Sequence, residues 1–161
     1  MKIAVLKERR DGEKRVAASP DSVAKFISLG CSVTVETGAG DAASILDGAF
    51  KEAGATIAKT PADTVKGADL VLKIARPLES EIKLFSKGQA LACHAYALTE
   101  GDTVKALNDQ GVTLFAMELV PRITRAQSMD ILSSQANMSG YKAVLDALEY
   151  YGRALPMMST A

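Results

Sequence analysis

Short apolar runs recur along this chain, and charged residues, glycine or proline separate each run from the next. Unbroken apolar runs of about 4–8 residues, bounded by turn residues, are typical of parallel strands covered on both faces. Strands are predicted at Ile3 to Leu6, Cys31 to Glu36, Thr56 to Ala58, Asp69 to Lys73, Gln89 to Cys93 and Val112 to Met117.

Helical patterns lie between these runs. Ser19 and Pro20 form a capping signal, after which apolar residues recur at helical spacing until Gly30. Shorter helices are predicted at Ala49 to Ala53, directly after Thr60, at Glu79 to Phe85 and at Asp102 to Asn108. Strands that alternate with helices in this way predict an α/β fold, in which helices cover both faces of a parallel sheet.

The end of the chain carries a longer helical pattern. Met138, Tyr141, Leu145 and Leu148 are spaced by three and four residues, which predicts a long amphipathic helix that is broken at Pro156. With 161 residues the chain fits one domain, and we expect residues 1–161 to form it.

Composition excludes several classes of function. The 19 basic and 19 acidic residues leave no net charge to attract nucleic acid. Cys31 and Cys93 lie far apart in apolar surroundings, so we expect free thiols and no bound metal. Since no window is apolar enough to be a signal peptide or a membrane span, we expect a soluble chain.

Three cationic or titratable side chains lie near predicted strand ends: Arg15, Lys73 and His94. The carboxyl ends of parallel strands meet at one edge of a sheet, so these side chains could together surround a carboxylate. Each also has a structural interpretation. Lys73 could lie along apolar surface, Arg15 could pair with Glu13, and His94 could be a buried structural histidine.

Two glycines after the second predicted strand meet the G-x-G-x-x-A pattern of dinucleotide-binding proteins, beginning at Gly38. In that fingerprint the glycines open a helix and an acidic residue follows about 20 residues later. Here no clear helix begins at Ala43, and Glu36 precedes the glycines. A strand-ending turn with positive φ is therefore the better interpretation.

The most polar segment of the chain runs from Pro121 to Tyr141, at a strand-to-helix junction. Part of its polarity has a local explanation, because Thr124 to Gln127 fits a capping box and Asp130 or Ser133 could cap the following helix. Capping does not account for the whole group. Its amides, hydroxyls, guanidinium groups and carboxylate suit a ligand such as an amide, a ribose or a diphosphate.

Four motifs spread over essentially the whole chain carry a family resemblance. They are MKIAVLKERR-x-GE-x-RVA-x-SP, ADLVLK-x-x-RP, CH-x-x-ALT and AMELVPRITRAQSMDILSSQ-x-N-x-x-GY. Together they resemble the α subunit of proton-translocating nicotinamide nucleotide transhydrogenases. Alanine dehydrogenases share this N-terminal domain family and the positions of Arg15, Lys73 and His94, but they lack RAQSMDILSSQ.

The resemblance implies a flavodoxin-like or Rossmann-like three-layer α/β fold. It also implies hydride transfer between NAD(H), bound by this subunit, and NADP(H), bound by a partner β subunit, coupled to proton movement through a membrane domain. Arg122, Gln127, Asp130 and Ser133 match the family's loop over the nicotinamide and its ribose. Gln127 and Asp130 are the residues nearest the transfer, and no general acid or base is implied.

By the same resemblance the α subunit is a homodimer on the cytoplasmic side of the bacterial inner membrane. The family's NAD-binding Rossmann domain is expected after residue 161, so we expect the chain alone to be inactive and to bind NAD(H) weakly. Two other interpretations stay open. One is the substrate domain of an alanine dehydrogenase, with Arg15, Lys73 and His94 binding a 2-oxo acid. The other is a docking or dimerisation module without catalysis.

Overall fold

The computed structural model describes residues 1–153, which form two compact units, Met1–Leu119 and a second that begins at Val120. The strands are β1 Lys2–Val5, β2 Ser32–Glu36, β3 Thr56–Ala58, β4 Leu70–Ala75, β5 Ala90–His94 and β6 Thr113–Ala116. The α-helices are α1 Pro20–Ser28, α2 Asp47–Glu52, α3 Pro61–Val65, α4 Glu79–Ile82, α5 Gly101–Asp109 and α6 Ile131–Tyr150. Short 3₁₀ helices span Asp41–Ala43, Met117–Leu119 and Thr124–Met129.

The first unit is built on one six-stranded sheet in which every pair of neighbouring strands is parallel, in the order β3-β2-β1-β4-β5-β6. The α/β fold class predicted from the alternating pattern is confirmed. Strand order reverses between β1 and β4. Ligands of open α/β sheets usually bind beside such a reversal, outside the carboxyl ends of the strands.

Two apolar clusters cover the two faces of the sheet. On one face, side chains of α3, α4 and α5 pack against β1, β4 and β5, as in the contacts of Val65, Ile82 and Leu107. On the other face, α1 and α2 pack against β1 and β2, with Val23 and Phe50 fully buried. Each face thus holds its own core, and the strands between the two are buried from both sides.

Local signals in the sequence account for most element ends. The Ser19 hydroxyl accepts from Ser22 N at 3.2 Å and Thr60 accepts from Asp63 N at 3.1 Å, so both predicted caps are confirmed. The predicted turn after β2 is also confirmed, since Gly38 has a φ of +68°. The helix predicted at Glu79 to Phe85 is shorter than expected and ends at Ile82.

The second unit contains the Thr124–Met129 3₁₀ helix and the 20-residue helix α6. The long final helix is confirmed, but it begins at Ile131 and ends at Tyr150, where Tyr151 leaves the helical conformation. The break predicted at Pro156 lies outside the described residues. Within residues 1–153 no helix has the length and apolar character needed to cross a bilayer.

Gly40, in the turn before α2, is expected to tolerate no side chain. A Cβ there would overlap the carbonyl oxygen of Ile45 and lie 2.8 Å from Phe50 Cε2. Because the backbone carbonyl cannot move freely, Gly40→Ala should lower the free energy of unfolding by about 1–3 kcal/mol. Gly48→Ala is the matched control, since nothing lies within 4 Å of its Cβ position in α2. Urea denaturation in which both variants kept wild-type stability would contradict this prediction.

Candidate functional site

Lys73 is a buried cation with a full set of acceptors. Its side chain is 1% exposed. The ammonium nitrogen lies 2.9 Å from Glu81 Oε1, 3.4 Å from Glu8 Oε2 and 3.5 Å from the Lys7 carbonyl oxygen. Three acceptors match the three hydrogens of an ammonium group. Lys73 is therefore an internal ion-pair partner, and it does not extend along the surface.

The glutamates beside Lys73 also hold the backbone. Glu8 accepts from Ile74 N at 2.6 Å and from Ala75 N at 3.4 Å. At this point the pairing of β4 with β5 shifts in register, between Leu72 and Ala75, so that Ala75 lies opposite His94. A carboxylate that satisfies two backbone donors stabilises such an irregularity, because unpaired buried N–H groups are costly.

Arg9 extends the network toward β2. Its guanidinium forms an ion pair with Glu36 and lies 3.3 Å from Glu81 Oε1. Burial alone would lower the pKa of Arg9, but the hydrogen bond to Glu36 and the charges of both carboxylates outweigh burial and raise the pKa. Glu36 is also bound to the backbone, accepting from Lys7 N at 2.9 Å. It therefore has a structural partner at the position where a ribose-binding acid would need to be free.

Arg15 pairs with Glu13, as one of the sequence interpretations holds. The distance from Arg15 Nη2 to Glu13 Oε2 is 2.6 Å. The hydrogen bond raises the pKa of Arg15 and lowers that of Glu13. Arg15 also interacts electrostatically with Glu8 and Tyr96, so it lies in the same neighbourhood as Lys73.

His94 ends β5 and stacks on Tyr96, with ring centroids 4.1 Å apart and an angle of 24° between the planes. Tyr96 has a φ of +53°, a conformation that is rare for an aromatic residue. The Arg76 guanidinium lies 5.5 Å from the Tyr96 ring centroid and 2.7 Å from Glu100 Oε1. One face of the histidine ring is therefore covered by Tyr96.

Glu118 lies at the end of the neighbouring strand β6 and binds the chain that follows His94. Its carboxylate accepts from Ala95 N at 3.0 Å and from Ala97 N at 2.8 Å. Burial opposes ionisation, but these donors and the nearby His94 outweigh it and lower the pKa of Glu118. Burial raises the pKa of the Cys93 thiol to about 12, so this cysteine is not a nucleophile at neutral pH.

The side chains near the carboxyl ends of β1, β2 and β4 form one group, which we call the carboxyl-edge cluster. Its carboxylates outnumber its cations. The cations are Arg9, Arg15, Lys73 and Arg76, and the carboxylates that pair with them are Glu8, Glu13, Glu36, Glu81 and Glu100. Each predicted cation thus meets a carboxylate of the protein itself, and an anionic ligand would have to compete with these partners.

The glycine turn after β2 has no cradle for a phosphate. The Gly38 N–H donates to Asp47 Oδ1 at 2.9 Å, and the Thr37 hydroxyl donates to Asp47 Oδ2 at 2.6 Å. A 3₁₀ helix, Asp41–Ala43, follows the glycines where the fingerprint requires an α-helix. Among residues 1–153 no group of three or more His, Cys, Asp or Glu side chains could hold a metal ion.

The polar segment in the second unit has a defined local structure. Arg122 and Gln127 are exposed, and Ala126 between them is buried. Gln127 belongs to the Thr124–Met129 3₁₀ helix, and its carbonyl accepts from Asp130 N at 3.2 Å. The predicted capping box at Thr124 is wrong: the residue at the N-terminal cap is Ile123, which has no side-chain acceptor.

Asp130 is the actual cap, and it caps α6. Its Oδ1 accepts from Leu132 N and Ser133 N, both at 3.0 Å, and its Oδ2 accepts from the Ser133 hydroxyl at 2.6 Å. The hydrogen bonds from Ser133, followed by those from the backbone and the charge of Arg122, lower the pKa of Asp130. Asp130 is therefore ionised at neutral pH, and it fixes the oxygen of Ser133.

The structure brings the candidates together in two groups, one in each unit. Arg15 and Lys73 both interact with Glu8, and His94 pairs with Ala75 of the adjacent strand. Sequence reasoning missed Glu8, Glu36, Glu81, Tyr96 and Glu118. For Glu8 a signal was present, because a carboxylate directly after a buried strand enters the interior and needs a cation there.

Comparison with known proteins gives a consistent result. Residues 4–139 match the family described as alanine dehydrogenase/PNT, N-terminal domain. The first portion of the NAD(P) transhydrogenase subunit alpha of Rhodospirillum rubrum is 53% identical over 166 residues, which cover 100% of this chain and 43% of that protein. The alanine dehydrogenase of Bacillus subtilis is 36% identical over 89% of this chain and 37% of its own length.

A solved structure extends the comparison to the fold. The transhydrogenase from Sinorhizobium meliloti superposes with a TM-score of 0.91 at 47% identity, covering 100% of this chain and 48% of that one. This chain therefore spans less than half the length of the relatives that it matches.

Removing the buried cation should cost far more than removing an exposed one. Lys73→Met leaves the carboxylates of Glu8 and Glu81 buried without a cation and should lower the free energy of unfolding by about 3–5 kcal/mol. Lys83→Met is the matched control, because Lys83 pairs with Glu79 on the surface and both are mostly exposed. Its cost should stay below about 1 kcal/mol by urea denaturation. Similar losses in the two variants would show that Lys73 is not the centre of the network.

Glu118 should stabilise the fold only above its titration range. Its pKa is lower folded than unfolded, so the stabilisation is fully present above the unfolded pKa and is lost as pH falls through the folded one. The stability difference between wild type and Glu118→Gln should be constant above about pH 6 and shrink below about pH 4.5. Urea midpoints measured from about pH 3 to pH 7 would test this, and a difference independent of pH would contradict it.

Proposed function

This chain belongs to the alanine dehydrogenase/PNT N-terminal domain family, and on that premise we propose that it is the N-terminal part of the NAD(H)-binding α subunit of a proton-translocating transhydrogenase. The proposed reaction is hydride transfer between NAD(H) and NADP(H). The relatives named as transhydrogenase subunits are more similar to it than those named alanine dehydrogenase, at 53% against 36% identity.

The observation that carries the proposal is the arrangement of the segment from Arg122 to Ser133. A 3₁₀ helix leads directly into α6, and Asp130 joins the two as the cap. Arg122, Gln127 and Ser133 are exposed, so a guanidinium, an amide and a hydroxyl are available to a ligand. These donors and acceptors fit the carboxamide and ribose of a nicotinamide nucleotide.

The nucleotides supply the hydride chemistry when bound, and the protein supplies position. Arg122 and Ser133 would contact the carboxamide and the ribose, and Gln127 would extend toward the nicotinamide on the partner subunit. Asp130 has a different role from the one that the resemblance implies. Its oxygens already accept from two N–H groups and from Ser133, so it acts mainly by fixing that hydroxyl and the start of α6.

The charge balance of the carboxyl-edge cluster argues against an alanine dehydrogenase activity. A 2-oxo acid needs unpaired cations, whereas Lys73 is paired with two glutamates and Arg15 with Glu13. Tyr96 covers one face of the His94 ring. These contacts support a structural role for the three residues, with the nicotinamide site elsewhere in the chain.

The rest of the proposal follows the family. The α subunit acts as a homodimer together with an NADP(H)-binding β subunit and a membrane domain that conducts protons, on the cytoplasmic side of the membrane. The dinucleotide-binding Rossmann domain belongs to the region of the relatives that this chain does not span. The turn at Gly38 supports this division, because its N–H is bound to Asp47 and offers no phosphate cradle.

Gln127→Ala in the intact enzyme should slow hydride transfer more than it weakens NADH binding. The reason is that an exposed amide used for positioning affects the reacting geometry more than the ground-state affinity. Stopped-flow measurement of transfer to an NADP analogue gives the rate, and calorimetry gives the affinity. Asn137→Ala, an exposed amide on α6, is the control and should leave both unchanged.

A transfer rate of Gln127→Ala equal to wild type would refute the role of Gln127. The activity itself has a separate test. NADH oxidation by the intact enzyme that depends on pyruvate, without transfer to an NADP analogue, would replace the proposed function by an alanine dehydrogenase.

A further inference from the structure

One face of the sheet is covered over only half its width. A row of side chains crosses the strands on that face in the order Val35, Val5, Leu72, Ala92 and Phe115, since each is the register partner of the next. Val35 and Val5 are fully buried, Leu72 and Ala92 are half-buried, and Phe115 is 54% exposed. Exposure therefore increases steadily from β2 to β6.

The opposite face shows no such gradient. There Ala4, Val71 and Leu91 are at most 1% exposed, and the next partner, Leu114, is half-buried. The apolar contacts of the first unit explain the difference. On this face α3, α4 and α5 pack against the sheet, whereas on the other face α1 and α2 cover β1 and β2.

The handedness of the connections accounts for the uncovered area. The chain passes from β1 outward to β3 in one direction and from β4 outward to β6 in the other. Because parallel crossovers are right-handed, helices of the two halves lie on opposite faces of the sheet. The connections within the first unit therefore leave β4, β5 and β6 open on one face, although parallel sheets are normally covered on both.

The shape of the open area fits a helix. On β5 the outward side chains are Ala90 and Ala92, whereas β4 presents Leu70 and Leu72 and β6 presents Phe115. Small residues between two rows of larger ones form a trough along β5. Its walls are two strand spacings apart, about 10 Å, which matches the diameter of an α-helix.

We propose that this trough, the face of β4–β6 lined by Leu70, Leu72, Ala90, Ala92 and Phe115, is the docking surface for an amphipathic helix from the region of the relatives' polypeptide that this chain does not span. That region amounts to more than half of the Rhodospirillum rubrum relative, since the match covers 43% of it. The docked helix would place its apolar stripe over Ala92 and bury Phe115. The proposal does not depend on hydride transfer.

Cysteine accessibility tests the proposal. The 161-residue chain is compared with a chimera in which it replaces the matched 166 residues of the Rhodospirillum rubrum relative. Both carry Cys31→Ser, because Cys31 is half-exposed, and retain Cys93, which is buried. Phe115→Cys is the probe. Leu29→Cys is the matched control, because Leu29 is 68% exposed at the end of α1, away from the trough.

The thiol introduced by Phe115→Cys should react with a thiol reagent about tenfold more slowly in the chimera than in the 161-residue chain. The thiol introduced by Leu29→Cys should react at similar rates in both proteins. Equal rates for the thiol at position 115 would overturn the proposal. Protection of that thiol in the shorter chain that increases with protein concentration would also overturn it, because a second copy would then be the occupant.

A second variant tests whether the contact is apolar. Phe115→Lys should lower the denaturation midpoint of the chimera clearly more than Leu29→Lys does, because a docked helix would bury the ammonium group. In the 161-residue chain both substitutions lie on exposed positions and should have small effects. Equal effects of the two substitutions in the chimera would contradict the docking of a helix on this face.

Discussion

The buried ion pair between Lys73 and the carboxylates of Glu8 and Glu81 is the interaction on which the first unit depends. Lys73 lies on β4, Glu8 follows β1, and Glu81 lies on α4, so one ammonium group joins three elements at the reversal in strand order. Charged groups in an interior are stable only with partners. The network therefore requires the ends of these elements to lie in one arrangement.

This arrangement changes what the edge of the sheet can do. A switch point in strand order is where a ligand is expected, and the polar residues there match that expectation. In this protein the same residues bind one another. Arg9 and Lys73 hold Glu36, Glu8 and Glu81, and the register shift of β4 is fixed by Glu8. The position most open to a ligand is instead the segment that caps α6.

The two units illustrate different ways of placing polar groups. In the first, carboxylates are buried and satisfied by cations and backbone donors. In the second, Asp130 satisfies the first turn of α6 and holds Ser133, while Arg122 and Gln127 are exposed. A polar segment that is ordered by its own backbone and still exposed can bind a ligand without first releasing an internal partner.

Local pattern determined the elements of this protein. The strands, the caps at Ser19 and Thr60, the positive φ at Gly38 and the long final helix all follow from residues that are close together in the chain. Tertiary structure decided which charges meet. Glu81 follows Lys73 closely in the chain, but Glu8 lies on the far side of β2 and β3 from it, and no short-range pattern records that contact. The sequence by itself could place cations at strand ends, whereas only the folded sheet brings the carboxylates that neutralise them, because those partners come from different strands and helices.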